Sequence, residues 1–391
     1  MQGAEAAIKT SESAFAEGVC FPLEVRAQRG DLETVDQLSD EWRELCGQSA
    51  DDQPFFRPEF IRAHIRCVIP GSTVVIITVR HRGRLRLVLP LVEELGSFSR
   101  VPVRRLRAPV NCNCGRFDGV RAKGSDGDEA VRATWQYLKD LRGWDLLQFR
   151  TVPEASTVDL LAEAARADGY LTVKLSDNPN PYVAVPSNAE LLNRMPHNMK
   201  LRSQLRQIRR RLAAQGLLTF YRVTTADRDA LEKFYRLEAS GWKGRQRSAI
   251  VHNGTRPFFD ELAVSAARFG YFCLYMLEFN GELIAAHYSL VYRNRCYSPI
   301  VAYNENFKQF APGHLIVGEI LKDCSARGIA GYDITGQNQP WKMKWASQTL
   351  AVNHHYIFRG PIGRLAYIFG SRLRSSVGRV STSEMRLTSE S

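Results

Sequence analysis

Residues suited to proton transfer and anion binding are concentrated between Glu238 and Trp345 of this 391-residue chain. Glu238 precedes Trp242 by four residues, so on a continuous helix a carboxylate and an indole would share a face, and an apolar wall of that kind raises a carboxylate's proton affinity. Glu238 is therefore the first candidate for a general base, and a surface carboxylate paired with Lys or Arg is the plainer reading. His287 lies in an apolar stretch, where a neutral imidazole is either a base or a hydrogen-bonded core group. Tyr303 ends a β-rich segment, where it either donates a proton or packs. Asp333 ends a shorter one, where it either orients a substrate or caps the following turn. Lys342, Lys344 and Trp345 follow Pro340; the two cations suit a phosphate and the indole a pocket wall, with exposed lysines as the alternative. Phe310-Ala-Pro-Gly-His-Leu315 reads as a helix start, because Pro312 needs no N–H in a first turn and Gly313 lets a ligand approach the backbone. A plain Pro-Gly turn would also fit.

These residues need a scaffold, and hydrophobic periodicity supplies one of mixed α and β character. In the first half, strands are expected at Leu23 to Arg26, Thr73 to Val79, Leu85 to Leu91, Asp145 to Arg150 and Leu171 to Lys174, with a hairpin turn at 80–84. Helices are expected at Leu32 to Cys46, Pro58 to Cys67, Asp128 to Leu141 and Thr157 to Ala167. From about residue 181 the same grammar restarts: strand Tyr182 to Val185, a basic helix Ala189 to Gln215, strand Leu218 to Val223, and helices Ala226 to Ser240 and Pro257 to Phe269. A meander follows, Phe272 to Phe279, Leu283 to Arg293 and Arg295 to Tyr303, with Asn280-Gly281 as its hairpin signal. Helix Pro312 to Arg327, strand Gly331 to Thr335 and strand Ala351 to Arg359 complete the chain's regular elements.

Length and a 44% hydrophobic composition favour two cores. The expected division is 1–21 as a disordered N-terminus, 22–180 and 181–360 as domains, and 361–391 as a basic amphipathic segment with a disordered tail. Apolar runs are too short for a spanning helix, and 1–18 lacks a secretory h-region, so a cytoplasmic protein is expected. The eight cysteines include no pair of C-x-x-C motifs; Cys112-Asn113-Cys114 points its thiols to opposite faces if extended, and no metal is expected. Net charge is +12, favouring partners that carry phosphates or carboxylates. Much of it sits on the basic helix, where Leu201, Leu205, Ile208 and Leu212 form one stripe and Arg202, Arg206, Arg209 and Arg210 the other flank. That flank is either solvated or faces phosphate or a membrane. After Arg359, apolar and basic residues interleave as in an interfacial or docking helix.

Four segments together carry a family likeness: Glu238-Ala-Ser-Gly-Trp242-Lys243-Gly244, Phe310-Ala-Pro-Gly313, Tyr332-Asp333-Ile-Thr-Gly336 and Lys342-Met-Lys344-Trp345. The series resembles the C-terminal domain of CelD-like acetyltransferases of the GNAT superfamily, relatives of the Fem peptidyltransferases. Trp42-x-x-Leu45, Pro54-Phe55-Phe56 and Pro58-Glu59-Phe60 resemble the N-terminal half of the same family. The resemblance implies an α/β (α+β) fold of two tandem GNAT-like domains, each a mixed, mostly antiparallel sheet flanked by helices. It also implies transfer of an acetyl or longer acyl group from acyl-CoA to an amine, or less often a hydroxyl, of a lipid, sugar or envelope-polymer precursor. Similar sequences include bacterial ceramide synthases. In that frame the thioester lies between two splayed strands and its diphosphate meets the helix start, with Gln309, Pro312, Gly313, His314 and Leu315 on the donor. Trp242, Lys243, Lys342, Lys344 and Trp345 face substrate; Glu238 or His287 is the base, Tyr303 protonates the leaving sulfur and Asp333 orients. The usual diphosphate signature has two glycines, whereas Gly313 alone follows Gln309. The Fem likeness offers a second reading, aminoacyl-tRNA as donor, which the lack of sustained heptads counts against. A non-catalytic partner in exopolysaccharide or cellulose synthesis is a third. DNA is not an expected partner, and peripheral contact with an anionic membrane is.

Overall fold

The computed structural model describes residues 22–49, 51–110, 115–196 and 198–376, leaving aside the side chains of Ala189 and 371–376. The expected disordered N-terminus, the Cys112/Cys114 step and the end of the basic tail lie outside these residues. The described chain forms two compact units, one of 22–110, 116–177 and 351–376, the other of Gly115 and 178–350.

Unit 1 begins with β1 (Glu24–Gly30), α1 (Leu32–Gln48), α2 (Pro58–Cys67), β2 (Val74–His81) and β3 (Arg84–Phe98). It continues with β4 (Val101–Arg107), β5 (Val120–Arg121), α3 (Ser125–Asp140), β6 (Leu146–Pro153), α4 (Thr157–Ala167) and β7 (Leu171–Ser176). The β2–β3 hairpin turns through Arg82 and Gly83, both at positive φ, the two-residue geometry that matches strand twist. β4 goes unseen in the sequence because arginines and a proline interrupt it. Val101, Val103 and Leu106 face inward, while Arg104 pairs with Asp145, and Arg105 and Arg107 pair with Glu94.

Unit 2 opens with β8 (Asn180–Ala184), α5 (Ala189–Asn193), α6 (Met199–Gln215), β9 (Leu218–Val223), α7 (Arg228–Ser240), α8 (Trp242–Arg245) and α9 (Arg256–Arg268). Then come β10 (Phe272–Phe279), β11 (Glu282–Tyr292), β12 (Arg295–Tyr303), α10 (Pro312–Ala326), β13 (Gly331–Asp333), α11 (Pro340–Met343) and β14 (Gln348–Leu350). The expected single basic helix is two, because Pro196 lacks an N–H and disfavours helix in the residue before it, and Asn198 recaps the chain by accepting from the Leu201 N–H. The seven strands run β14-β8-β13-β12-β11-β10-β9, antiparallel except β12 with β13. α6 and α10 cover one face through Leu201, Leu205, Leu212, Leu315, Ile316 and Ile320. On the other face Phe234 of α7 and Phe259 of α9 pack on Tyr288 of β11. Asn280-Gly281 makes the expected left-handed hairpin turn.

The chain then returns to unit 1 with β15 (Val352–Phe358) and α12 (Gly360–Ser376). Sequence order placed this last strand in the second domain; hydrogen bonding puts it between β6 and β7 in the order β1-β2-β3-β4-β6-β15-β7. Every residue of β15 is buried, so its alternation carries no mark of which sheet it joins. Both sheets are mixed and mostly antiparallel, flanked by helices. Both units also repeat one succession, interrupted in unit 1 by the two-residue β5: a three-strand antiparallel meander, a helix, then a strand parallel to the third, as β2-β3-β4-α3-β6 and β10-β11-β12-α10-β13. Among the described residues no helix is long and apolar enough to cross a membrane.

A chain ending at Leu350 should therefore lose cooperative folding of unit 1 and retain protection in unit 2. Hydrogen exchange read by mass spectrometry checks this: β6 and β7 amides should exchange at unprotected rates while β10 to β12 stay slow.

Candidate active site

The parallel pairing of β12 with β13 covers Arg295–Tyr297 against Gly331–Asp333 and stops there. From Ser298 to Tyr303, β12 keeps β11 on one side and has no described strand on the other. At the point of divergence the register slips, with Ser289 opposite both Ser298 and Pro299, and the two serine hydroxyls lie 2.7 Å apart. Asn304 N–H donates to Ile284 O, so by alternation the backbone groups of Val301 and Tyr303 turn to the open side. Lys243 Nζ donates to Val301 O from that side, at 3.1 Å.

α10 begins beside the gap. Ala311 sits in the left-handed region, Pro312 opens the helix, and the His314 and Leu315 N–H groups both donate to Ala311 O. Gly313 therefore holds the first-turn N–H without an acceptor, and a Cβ placed on it would have only the Tyr303 ring within 4 Å, at 3.8 Å. Tyr303 is 38% exposed, so space opens at the meeting of strand and helix.

Two lysines reach the divergence, one from each side. Glu238, buried near the end of α7, binds Lys243 Nζ through Oε1 at 3.1 Å and accepts from Ile250 N–H through Oε2 at 2.9 Å. The helix breaks at Gly241, so Trp242 starts a separate turn, is 44% exposed and donates its N–H to Glu305. The expected Glu238–Trp242 helical face is thus replaced by a Glu238–Lys243 ion pair. Gly244 makes the tight return to α7, since a Cβ there would lie 1.8 Å from Ala239 O. On the other side, Lys342 of α11 is buried and donates to Thr335 O at 2.7 Å. Burial pushes its ammonium down to about 8, with Lys243 adding to the effect and Asp333 opposing it. Thr335, β-branched yet at φ 46°, is held by its N–H to Asp333 Oδ1 and its hydroxyl to Ser298 O. Thr335, Ser298 and Tyr332 escaped sequence reasoning as site residues, although two of them stand inside the Tyr332-Asp-Ile-Thr-Gly segment.

His287 is fully enclosed, with Nδ1 2.9 Å from the Tyr332 hydroxyl. Burial, helped by Lys243 and Lys342, pushes its imidazole down to about 3. That favours the core-histidine reading over the base. His314 lies among Trp341 and Trp345, and its Nδ1 accepts from the Trp345 indole at 2.8 Å, so the neutral ring carries its proton on Nε2. Burial and then Lys344 push it down to about 4. Trp345 is 1% exposed and acts as this packing partner rather than as an open pocket wall. Leu315 is core, while Gln309 and Lys344 are exposed. α6 lies antiparallel to α10, with Arg209 paired to Glu319 and Arg211 stacked over Phe310 at 5.6 Å, so its basic end reaches the α10 start. Lys200, Arg206, Arg210 and Arg211 are exposed. No group of three or more His, Cys, Asp or Glu among the described residues is placed to hold a metal.

Residues 199–343 match the model of the Acetyltransferase (GNAT) domain. The match runs from the first residue of α6 to the last of α11. In fold, the chain is similar to FemX (TM-score 0.57, 13% identity, covering 84% of this chain and 98% of FemX). It is also similar to the C-terminal DUF2156 domain of an Agrobacterium fabrum protein assigned as a lysylphosphatidylglycerol synthetase (TM-score 0.50, 13% identity, 88% and 99% covered). No curated protein matches the sequence. The gap between β12 and β13 belongs to unit 2, within the matched residues. In unit 1, β4 pairs with β6 through its last three residues, so it does not run on past the pairing, and the first turn of α3 carries Asp126 and Asp128, paired with Arg86 and Arg121.

Removing the carboxylate that holds Lys243 should be felt in stability. Glu238→Ala is expected to cost about 3 kcal/mol and Glu238→Gln less, measured by urea unfolding, because the single Gln oxygen can still accept from either Ile250 N–H or the Lys243 ammonium while its NH2 faces the other donor.

Proposed function

We propose that unit 2 is an N-acyltransferase whose donor carbonyl lies in the gap between β12 and β13. The observation that carries this reading is the open run of β12, with Val301 and Tyr303 backbone groups turned outward, a lysine on each side and Gly313 at its mouth. In the reaction the acceptor nitrogen attacks the donor carbonyl carbon, the C–N bond forms and the C–S bond to coenzyme A breaks. The nitrogen gives up a proton and the thiolate takes one. Lys342, near 8, is part neutral amine at mildly alkaline pH and serves as the proton acceptor. Lys243, fixed by Glu238 against Val301 O, supplies positive charge toward the developing oxyanion, so Glu238 is a positioning residue. Tyr303, beside Gly313, protonates the leaving sulfur. Acetyl-CoA or a longer acyl-CoA is the proposed donor, and an amine, or a hydroxyl, of a lipid, sugar or envelope precursor the acceptor.

One observation favours the aminoacyl-tRNA donor instead. Gly313 offers a single free N–H where a diphosphate cradle would offer several, while exposed arginines of α6 extend from the same helix start as a phosphate-binding face. A FemX-like fold without a heptad segment among the described residues is compatible with this donor. The mechanism changes only in its leaving group, a ribose hydroxyl in place of a thiol.

Titration calorimetry with acyl-CoA separates the donors. Gly313→Asp should weaken acyl-CoA binding at least about tenfold while Gly313→Ala, entering open space, changes it little. Equal affinities in all three proteins would remove acyl-CoA from the gap, and absence of binding beside tight aminoacyl-tRNA binding would select the second reading.

With the cognate donor and an amine acceptor, kcat/KM should rise as pH passes through about 8, because a depressed lysine gains its neutral, basic form on that side. Lys342→Met should lower kcat by about 10²- to 10⁴-fold and abolish that limb. A variant with normal turnover and the same pH profile would take the proton-transfer role away from Lys342.

A further inference from the structure

α12 of unit 1 supplies none of the residues assigned to acyl transfer. Gly363, Ala366 and Gly370, spaced i, i+3 and i+7, seat the helix on unit 1. A Cβ on Gly363 would lie 2.7 Å from Asp145 O, and one on Gly370 would lie 2.9 Å from Ser99 Oγ. Ala366 and Tyr367 close the small core formed with Val101, Val103, Tyr356 and Phe358. Further round the same helix, Ile362, Leu365 and Phe369 repeat the i, i+3, i+7 spacing but remain 44%, 47% and 45% exposed, with Ile368 at 42%. A helix already anchored by its small residues gains nothing in the core from this second apolar stripe.

Charge identifies what the stripe fits. Gly360–Ser376 contains Arg364, Arg372 and Arg374 and no acidic residue. Exposed Arg100 stands on the β3–β4 turn, next to the Ser99 that Gly370 meets. Self-association through this face would set arginines against arginines, whereas an anionic bilayer offers apolar depth for the stripe and negative headgroups for its flanks. We propose that α12 docks unit 1 in the plane of an anionic lipid surface, with Ile362, Leu365 and Phe369 entering the headgroup boundary and Arg364 contacting lipid phosphates. This inference stands independently of the acyl-transfer reading.

Flotation of the full chain with phosphatidylcholine vesicles, with and without about a third phosphatidylglycerol, tests it. Binding is expected to the anionic vesicles alone and to fall several-fold in high salt. Leu365→Gln with Phe369→Gln should abolish it, and Arg364→Ala should reduce partitioning about fivefold, the effect of about 1 kcal/mol per basic residue at such a surface. Thermal melts accompany both, and Arg364→Ala, at an exposed position, keeps the test open if the double variant fails to fold. Equal partitioning on neutral and anionic vesicles, or wild-type partitioning by Arg364→Ala, overturns the proposal. A concentration-dependent dimer in sedimentation that Leu365→Gln abolishes, without vesicle binding, overturns it in favour of self-association.

Discussion

Parallel pairing between β12 and β13 lasts for three residues, and the chemistry proposed for unit 2 depends on where it ends. A continued ladder would satisfy the backbone groups of Val301 and Tyr303 and leave nothing for a substrate to meet. Its end leaves an edge inside a sheet, which is costly unless polar groups or a ligand take the vacant positions. The protein answers with Lys243 on the β12 side and the Thr335 turn, braced by Asp333, Ser298 and Lys342, on the other. The same interruption therefore creates the gap and requires the polar and charged groups that line it.

Electrostatics inside this small volume is coupled. Lys243 remains close to Lys342 and His287 because Glu238 neutralises it, and the influence of both lysines helps keep His287 uncharged. Burial lowers Lys342 while Asp333 opposes the change, so its proton is held loosely enough to be exchanged near neutral to alkaline pH. Burial and the neighbouring Lys243 make the Lys342 ammonium more acidic, while Asp333 limits the change.

The two units show how one succession of elements yields different capacities. Both run meander, helix and parallel strand, yet β4 ends with its pairing to β6 whereas β12 extends beyond β13. The α3 start is acidic, while the α10 start carries Gly313 and lies beside the basic end of α6. An arrangement of elements is a fold-level property, and the two units differ within it in strand length and in the residues of the helix start.

Sequence alone determined most of the elements, because alternation and helical periodicity are local: the meander, the Asn280-Gly281 hairpin and the Pro312 helix start were all legible from neighbouring residues. The segments holding Glu238, Asp333 and Lys342 were legible too, Glu238 as a base, Asp333 as an orienting or capping group and Lys342 as a phosphate contact rather than a proton acceptor. Their partners were not. The ion pair of Glu238 with Lys243 required the helix to break at Gly241, and the brace on Thr335 joins residues up to 37 positions apart. Tertiary structure alone decided that β15 crosses into unit 1, since a strand buried on both faces carries no sequence mark of its neighbours. It also decided that α12 lies on its glycines and turns its larger apolar residues outward, because a helix's buried face is chosen by the shape it packs against as well as by its hydrophobicity.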